Sequence, residues 1–404
     1  MDNPINGKNI VLGVSGSIAA YKAVELASLL TKAGAAVDVV LTPSAQKLVS
    51  ALTFRSVTGR KAFIDEDLWK TDDHVIHITL ARRADLMVIA PASANTLAKI
   101  AHGISDTLLT VTALACRAPL VVAPAMDAGM YDHAATQENL RILAERGITI
   151  LGPEEGHLAS GLKGKGRMLE AVTLLSSIRF LLGRNNKLAG KKVLVTAGGT
   201  QEAIDPVRFI GNHSSGKQGY AIAQAALDAG AQVTLISAPT ALGAPQGIEL
   251  VNVVNAAEMH KAVMEKVAHA DAVIMAAAVA DFHPHNTSDQ KIKKETDLQA
   301  IGLEPTIDIL KELGVYKTKH PGLRLVGFAA ESENLLQNAQ KKLEQKNLDL
   351  IVANDISRKD AGFAVDTNEV MLLFKDGSQK KIPLQEKEKI AGEIIDILCT
   401  LLQS

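Results

Sequence analysis

Apolar residues in this chain fall in short β-branched runs, each followed by a small polar turn and a helix with one apolar face. The run at 10–14 predicts a buried parallel strand, and 15–17 turns the chain. Residues 18–33 read as a helix with a polar stripe at Lys22, Glu25, Ser28 and Lys32, stopped by Gly34. A strand at 37–41 completes a βαβ unit. Further strands are predicted at 86–90, 120–123 and 148–151, with helices between them, one over 72–83. This is the rhythm of a doubly wound α/β domain.

The rhythm restarts after a polar, glycine-bounded stretch at 183–190. Strands are expected at 192–196, 232–237, 272–278, 324–328 and 350–353, with a helix over 220–229. The tail differs. Runs at 370–375 and 381–384 around Asp376-Gly377 predict a hairpin, and 386–402 a last helix. The expected fold class is α/β, with two doubly wound Rossmann-like domains at 1–184 and 185–404. The second is expected to end in the β-hairpin and helix.

A length of 404 residues suits two domains at ~100–200 residues each. Aromatics make up only 3%, so the cores must be aliphatic and base-stacking platforms are few. Lys+Arg is 43 against 44 Asp+Glu, which argues against a nucleic-acid or membrane-surface partner. No apolar run reaches the ~18 residues a membrane helix needs, and no signal-peptide core is evident. The two cysteines, Cys116 and Cys399, form neither a metal pair nor a disulfide framework. A cytoplasmic location is expected.

Gly13-Val14-Ser15-Gly16-Ser17 joins the first strand to a helix N-terminus, where free N–H groups can hold a phosphate. Ser15 breaks G-x-G-x-x-G, and no acidic residue clearly ends the second strand. A mononucleotide therefore fits better than NAD. Ser44, the 90–96 stretch and the 123–130 stretch follow later strands and face the same crevice. His77, on the predicted 72–83 helix, is a candidate because histidine is the side chain suited to proton transfer, and the glycine-rich 156–168 segment reads as a mobile flap. Taken singly, each is equally a tight turn, a structural histidine or a solvated loop.

Together they carry a resemblance. Gly13-Val14-Ser15-Gly16-Ser17-Ile18-Ala19-Ala20-Tyr21-Lys22, the 90–96 segment, Pro124-Ala125-Met126 with Met130-Tyr131, and Gly164-x-Gly166-Arg167-Met168 resemble the homo-oligomeric flavin-containing cysteine decarboxylases. The resemblance implies a flavodoxin-like FMN domain. It also implies oxidation of a C-terminal cysteine thiol, loss of CO2 and a final reduction. It places the catalytic histidine at His77 and the flavin site at Gly16, Ser17, Ser44, Ser93 and Asn95. Two positions depart from it. The usual Pro-Ala-Met-Asn ends in Asp127, and the usual Ala-Cys-Gly of the flap has Ser160 in the middle. An asparagine amide can donate to a substrate carboxylate, whereas an ionised Asp only accepts. A serine hydroxyl is a far poorer acid than a thiol of pKa ~8.5. Asp127 is therefore expected to be protonated, or neutralised by Lys163 or Lys165. An impaired decarboxylase, or a flavin-binding regulatory module, is the alternative.

In the second half, Gly211 to Gln218 nearly spells G-x-x-x-x-G-K-[ST], but Gln218 replaces the metal-holding hydroxyl, so no standard P-loop is expected. Asn212, Ser214 and Ser215 still sit by a helix start, suited to phosphate or an oxyanion. Asp281 ends a strand, Lys291-Ile292-Lys293-Lys294 follows on a loop, and Lys342 and Lys346 share a helix face. Asp205-Pro206-Val207-Arg208-x-Ile210-x-Asn212-His213-Ser214-Ser215-Gly216-Lys217, the 277–281 stretch, the lysine run and 346–355 resemble phosphopantothenate–cysteine ligases. The resemblance implies CTP and Mg2+ or another divalent cation, with metal ligands undetermined. It gives Lys291 a part in acyl-cytidylate formation and Asn212 in its conversion to the amide. CTP contacts fall on Asp281, Lys291, Phe328, Lys342 and Lys346. The family's Asn-Pro-Asp-Ile reads Glu304-Pro305-Thr306-Ile307 here. The whole chain thus resembles the bacterial family that joins both activities in coenzyme A synthesis. Implied substrates are 4′-phosphopantothenate, cysteine, CTP and 4′-phosphopantothenoylcysteine. The implied assembly is a homo-oligomer of decarboxylase trimers and ligase dimers.

Overall fold

The computed structural model describes residues 3–70, 75–293, 300–331, 334–355 and 365–403. The chain divides into two compact units, Asn3–Leu182 and Gly183 onward.

The front unit is built on a six-stranded parallel sheet. Its spatial order is Ala62–Phe63, Ala36–Leu41, Asn9–Val14, Leu86–Ala92, Leu120–Pro124, Thr149–Ile150. Without the two-residue edge strand this is the 2-1-3-4-5 order of flavodoxin-like sheets. The order reverses between Asn9–Val14 and Leu86–Ala92, opening a crevice at their carboxyl ends. The central strands are buried on both faces, as their continuous apolar runs require. Leu12, Leu26, Leu30 and Val88 fill one side of the sheet, and Met87, Ile89, Leu97 and Leu109 the other. Each such side chain contributes about 1.5–3 kcal/mol on burial.

One expectation for this unit needs correction: the first helix is Ala20–Lys32, and Lys22 is not on its solvated stripe but 5% exposed. The 156–168 segment belongs to an antiparallel hairpin, Glu154–His157 with Lys163–Arg167. His77 lies on the helix Ile76–Arg83, and residues 72–74 of the predicted helix are outside the described residues.

The rear unit carries an eight-stranded sheet. Six strands are parallel, in the order Glu249–Asn252, Gln232–Ser237, Lys192–Ala197, Ala272–Met275, Arg324–Glu331, Leu350–Asp355. The predicted hairpin is longer than expected, Thr367–Phe374 with Gln379–Glu386, and it extends the same sheet antiparallel. The last helix, Lys387–Leu401, packs against Lys217–Asp228. Both units are α/β and doubly wound. Cys399 is buried and Cys116 half-buried, and burial pushes both thiols up. No helix among the described residues is long and apolar enough to cross a membrane.

Candidate active sites

In the front unit a cleft of about 450 Å³ opens at the strand carboxyl ends. Gly16, Ser17, Ser93, Asp127 and Ser160 line it. The turn after the first strand is pinned from beneath. Ser15 Oγ donates to the Pro91 carbonyl at 2.8 Å and accepts from the Ser93 N–H at 2.8 Å. Ser93 caps the helix Ala94–His102, while the Ala20–Lys32 helix starts at Ala19 with no side-chain cap. Two helix N-termini therefore meet the cleft. Gly16 runs so close to Ser44 that a Cβ would lie 2.4 Å from the Ser44 Cβ. Ser44 and Asn95 are exposed and do not line the cleft itself. Nor does His77, whose buried Nδ1 has no hydrogen-bond partner among the described residues.

The hairpin covers the cleft. Its second strand packs on the 126–128 segment: Met126 N–H donates to the Gly166 carbonyl at 3.0 Å. A Cβ on Gly166 would lie 2.2 Å from the Met126 oxygen. At the tip, Ser160 Oγ–H donates to Asp127 Oδ2 at 2.6 Å, and Gly129 N–H donates to Oδ1 at 3.0 Å. These two donors, Ser160 first, hold the Asp127 carboxyl below the usual carboxylate range. A hydroxyl, rather than a proton or a lysine, meets the Asp127 charge: among the described residues no lysine pairs with Asp127, and Lys165 Nζ instead sits 5.4 Å from the centre of the Tyr131 ring. The two residues that depart from the decarboxylase pattern are each other's partners.

Sequence reasoning missed Lys22. Its ammonium donates to the Met168 carbonyl at 3.1 Å and to Glu170 at 2.9 Å, tying the first helix to the base of the hairpin. The signal was present: Lys22 stands three residues after Ala19 and four before Leu26, both buried, and so lies in the apolar stripe.

In the rear unit the candidate residues gather at the carboxyl ends of the central strands. Gly199 bridges to Ala278, and Asn212 Nδ2 donates to the Val279 carbonyl at 3.1 Å. Thr306 N–H donates to the Asp281 carbonyl at 2.9 Å, which fixes the Glu304-Pro305-Thr306-Ile307 stretch beside Asp281. Lys342 Nζ donates to the Phe328 carbonyl at 3.3 Å, and Lys346 pairs with Asp308 at 2.9 Å. Burial pushes the Asp308 carboxyl up, but Lys346 and the Lys311 N–H outweigh it and hold it low. Gly216, with φ +76°, starts the helix Lys217–Asp228 next to Ser214 and Ser215. Lys291 is exposed on a loop, and Lys294 lies outside the described residues.

Asp205, at the head of the 205–217 motif, is a second residue that sequence reasoning missed. Its side chain is fully buried and paired with Arg208. Its partner at Ile292 is 87 residues away, a separation no local pattern reveals.

A family model described as Flavoprotein matches residues 2–183, and one described as DNA/pantothenate metabolism flavoprotein C-terminal domain matches 188–401. The chain is 45% identical over 400 residues to the coenzyme A biosynthesis bifunctional protein CoaBC of Bacillus subtilis (strain 168), covering 98% of each. It is 43% identical over 394 residues to the protein of that name from Haemophilus influenzae, covering 97% of each. Among solved structures, the C-terminal domain of a CoaBC protein shares 43% identity, with a TM-score of 0.47 over 54% of this chain and 99% of that one. The FMN binding protein AtHal3 shares 38% identity, with a TM-score of 0.39 over 43% and 96%. Being this similar to those relatives along nearly its full length, the chain belongs to the family of bifunctional coenzyme A biosynthesis proteins.

Proposed function

We propose that the chain catalyses two consecutive steps of coenzyme A biosynthesis. The domain at 185–404 ligates 4′-phosphopantothenate with cysteine at the expense of CTP. The domain at 1–184 then decarboxylates 4′-phosphopantothenoylcysteine to 4′-phosphopantetheine with FMN. The observation that carries this reading is likeness to two-activity relatives across both halves at once. It favours a working decarboxylase over an impaired one or a regulatory module.

The front cleft fits FMN. Paired helix N-termini and the Ser17 and Ser93 hydroxyls suit its phosphate, and the Gly16–Ser44 approach leaves backbone where a side chain would block it. Bound FMN supplies the two-electron oxidation of the substrate thiol and returns the electrons at the end. The protein positions and shields. The hairpin excludes water from the cleft. His77 accepts and holds a proton. Its buried Nδ1, without a partner among the described residues, is costly unless it serves such a role. Because His77 does not line its own chain's cleft, the reading includes a homo-oligomer in which decarboxylase units meet as trimers and ligase units as dimers.

In the rear site the substrate carboxylate oxygen bonds to the CTP α-phosphorus, and pyrophosphate leaves with the electron pair. The cysteine amine then attacks the acyl carbon and CMP leaves. Lys291 neutralises charge in the first step, and the Asn212 amide donates to the acyl oxygen in the second. Asp281, Phe328, Lys342 and Lys346 hold the nucleotide. Among the described residues no three His, Cys, Asp or Glu side chains group as metal ligands. Mg2+ is accordingly assigned to the triphosphate it enters with.

The test is anaerobic addition of 4′-phosphopantothenoylcysteine with mass spectrometry of the products, alongside CTP-dependent pyrophosphate release. Sustained 4′-phosphopantetheine formation and cysteine-dependent CMP are expected. Pyrophosphate without CO2 loss would reduce the front half to a binding module.

A further inference from the structure

The residue that joins the two catalytic segments of the rear site is a buried acid with no part in the chemistry assigned above. Asp205 lies in the turn between Gln201–Ala203 and Phe209–Gly211. Its Oδ1 accepts the N–H groups of Val207 and Arg208, each at 2.8 Å. Its Oδ2 accepts Arg208 Nε at 2.9 Å, Arg208 Nη2, and the N–H of Ile292 at 3.1 Å. Arg208 Nη2 also donates to the Ile292 carbonyl at 2.9 Å. Both backbone polar groups of Ile292 are thus held by one acid–guanidinium pair. Ile292 is the residue between Lys291 and Lys293.

The surrounding bonds run the same way. Ser288 N–H donates to the Ile204 carbonyl at 3.0 Å, and Thr287 Oγ1 to the Ala203 carbonyl at 3.2 Å. The 287–292 segment is therefore laid along the hairpin whose second strand leads to Asn212. Lys291 Nζ itself has no partner among the described residues, so its placement comes from its backbone. A charged acceptor with every lone-pair direction used is a rigid anchor, and Arg208 matches it in fork geometry.

We propose that Asp205 is a positioning residue for the ligase, setting Lys291 against the nucleotide while keeping the Asn212 hairpin in register with it. The proposal rests on the ligase reading above. It assigns Asp205 no contact with substrate. An anchor of this kind changes rate more than binding, since misplacing a catalytic group by about 1 Å can cost roughly 100-fold.

The experiment uses the full chain. Asp205→Asn is compared with Lys291→Ala and with the double variant, by pyrophosphate release from CTP and 4′-phosphopantothenate. The expected result is a kcat about 10- to 100-fold lower in Asp205→Asn with KM for CTP nearly unchanged. The double variant should be no slower than Lys291→Ala alone. Hydrogen exchange should show faster exchange at residues 288–293 in folded Asp205→Asn. Should Asp205→Asn not fold, Arg208→Gln carries the same comparison, because it releases the Ile292 carbonyl but leaves the carboxylate. Multiplicative loss in the double variant, or a rise in KM at unchanged kcat, would overturn the proposal. If the unmodified chain releases no pyrophosphate, the ligase reading fails instead. The exchange result still reports on the anchor in that case.

Discussion

A carboxylate and a hydroxyl at hydrogen-bonding distance define each other's chemistry. Ser160 donates a hydrogen bond to Asp127, which orients the hydroxyl and favours the ionised carboxylate. The pair then acts as a latch on the hairpin tip. In a double-variant cycle, Asp127→Asn and Ser160→Ala should each speed hydrogen exchange at residues 158–162, and the combination should do no more than either. Additive effects would mean the two act separately. The Asp205 anchor makes a second residue-scale prediction. Its folded pKa lies well below its unfolded value of ~3.9, so its stabilisation is present above that value and fades as the pH falls further. The urea midpoint of the rear unit should fall on acidification below about pH 4, and Asp205→Asn should flatten that fall. The sequence marked Asp127 and Ser160 as unusual, but it looked to a proton, Lys163 or Lys165, and not to Ser160, to meet the Asp127 charge. Partners 33 residues apart on a turn and a helix cap follow no periodicity.

At the scale of elements, the central strands were legible because burial on both faces forces uninterrupted apolar runs, as at Leu86–Ala92. The hairpin over the cleft was not. Its Lys163–Arg167 strand reads Lys-Gly-Lys-Gly-Arg, with no apolar alternation to mark it. Its glycines exist for close approach instead. Gly166→Ala should push the strand off the Met126 carbonyl and cost about 1–3 kcal/mol, read as a lower urea midpoint for the front unit. Gly164→Ala meets only the Ala128 Cβ, at 2.7 Å, and should cost less. Lys22 belongs to this element too. Replacing it with Met would strand the Met168 carbonyl and cost about 1–3 kcal/mol.

For the whole molecule, two compact units with separate cores imply two ligand-linked equilibria. At about 100 times its dissociation constant, a ligand adds roughly 2.7 kcal/mol to the unit it binds. In calorimetry, FMN should raise one transition and CTP with Mg2+ the other. A single transition moved by both would show the units to be coupled. The division into two doubly wound halves was readable from a rhythm that stops at 183–190 and starts again.

The Asp127–Ser160 bond also bears on inheritance. Changing either member alone leaves the other with a proton to place or a charge to satisfy, so a lineage crossing between Asn with Cys and Asp with Ser passes through a mismatched ancestor. Among relatives the two positions should therefore travel as a couple. A census of paired and mixed chains would show whether selection has treated them as one heritable character.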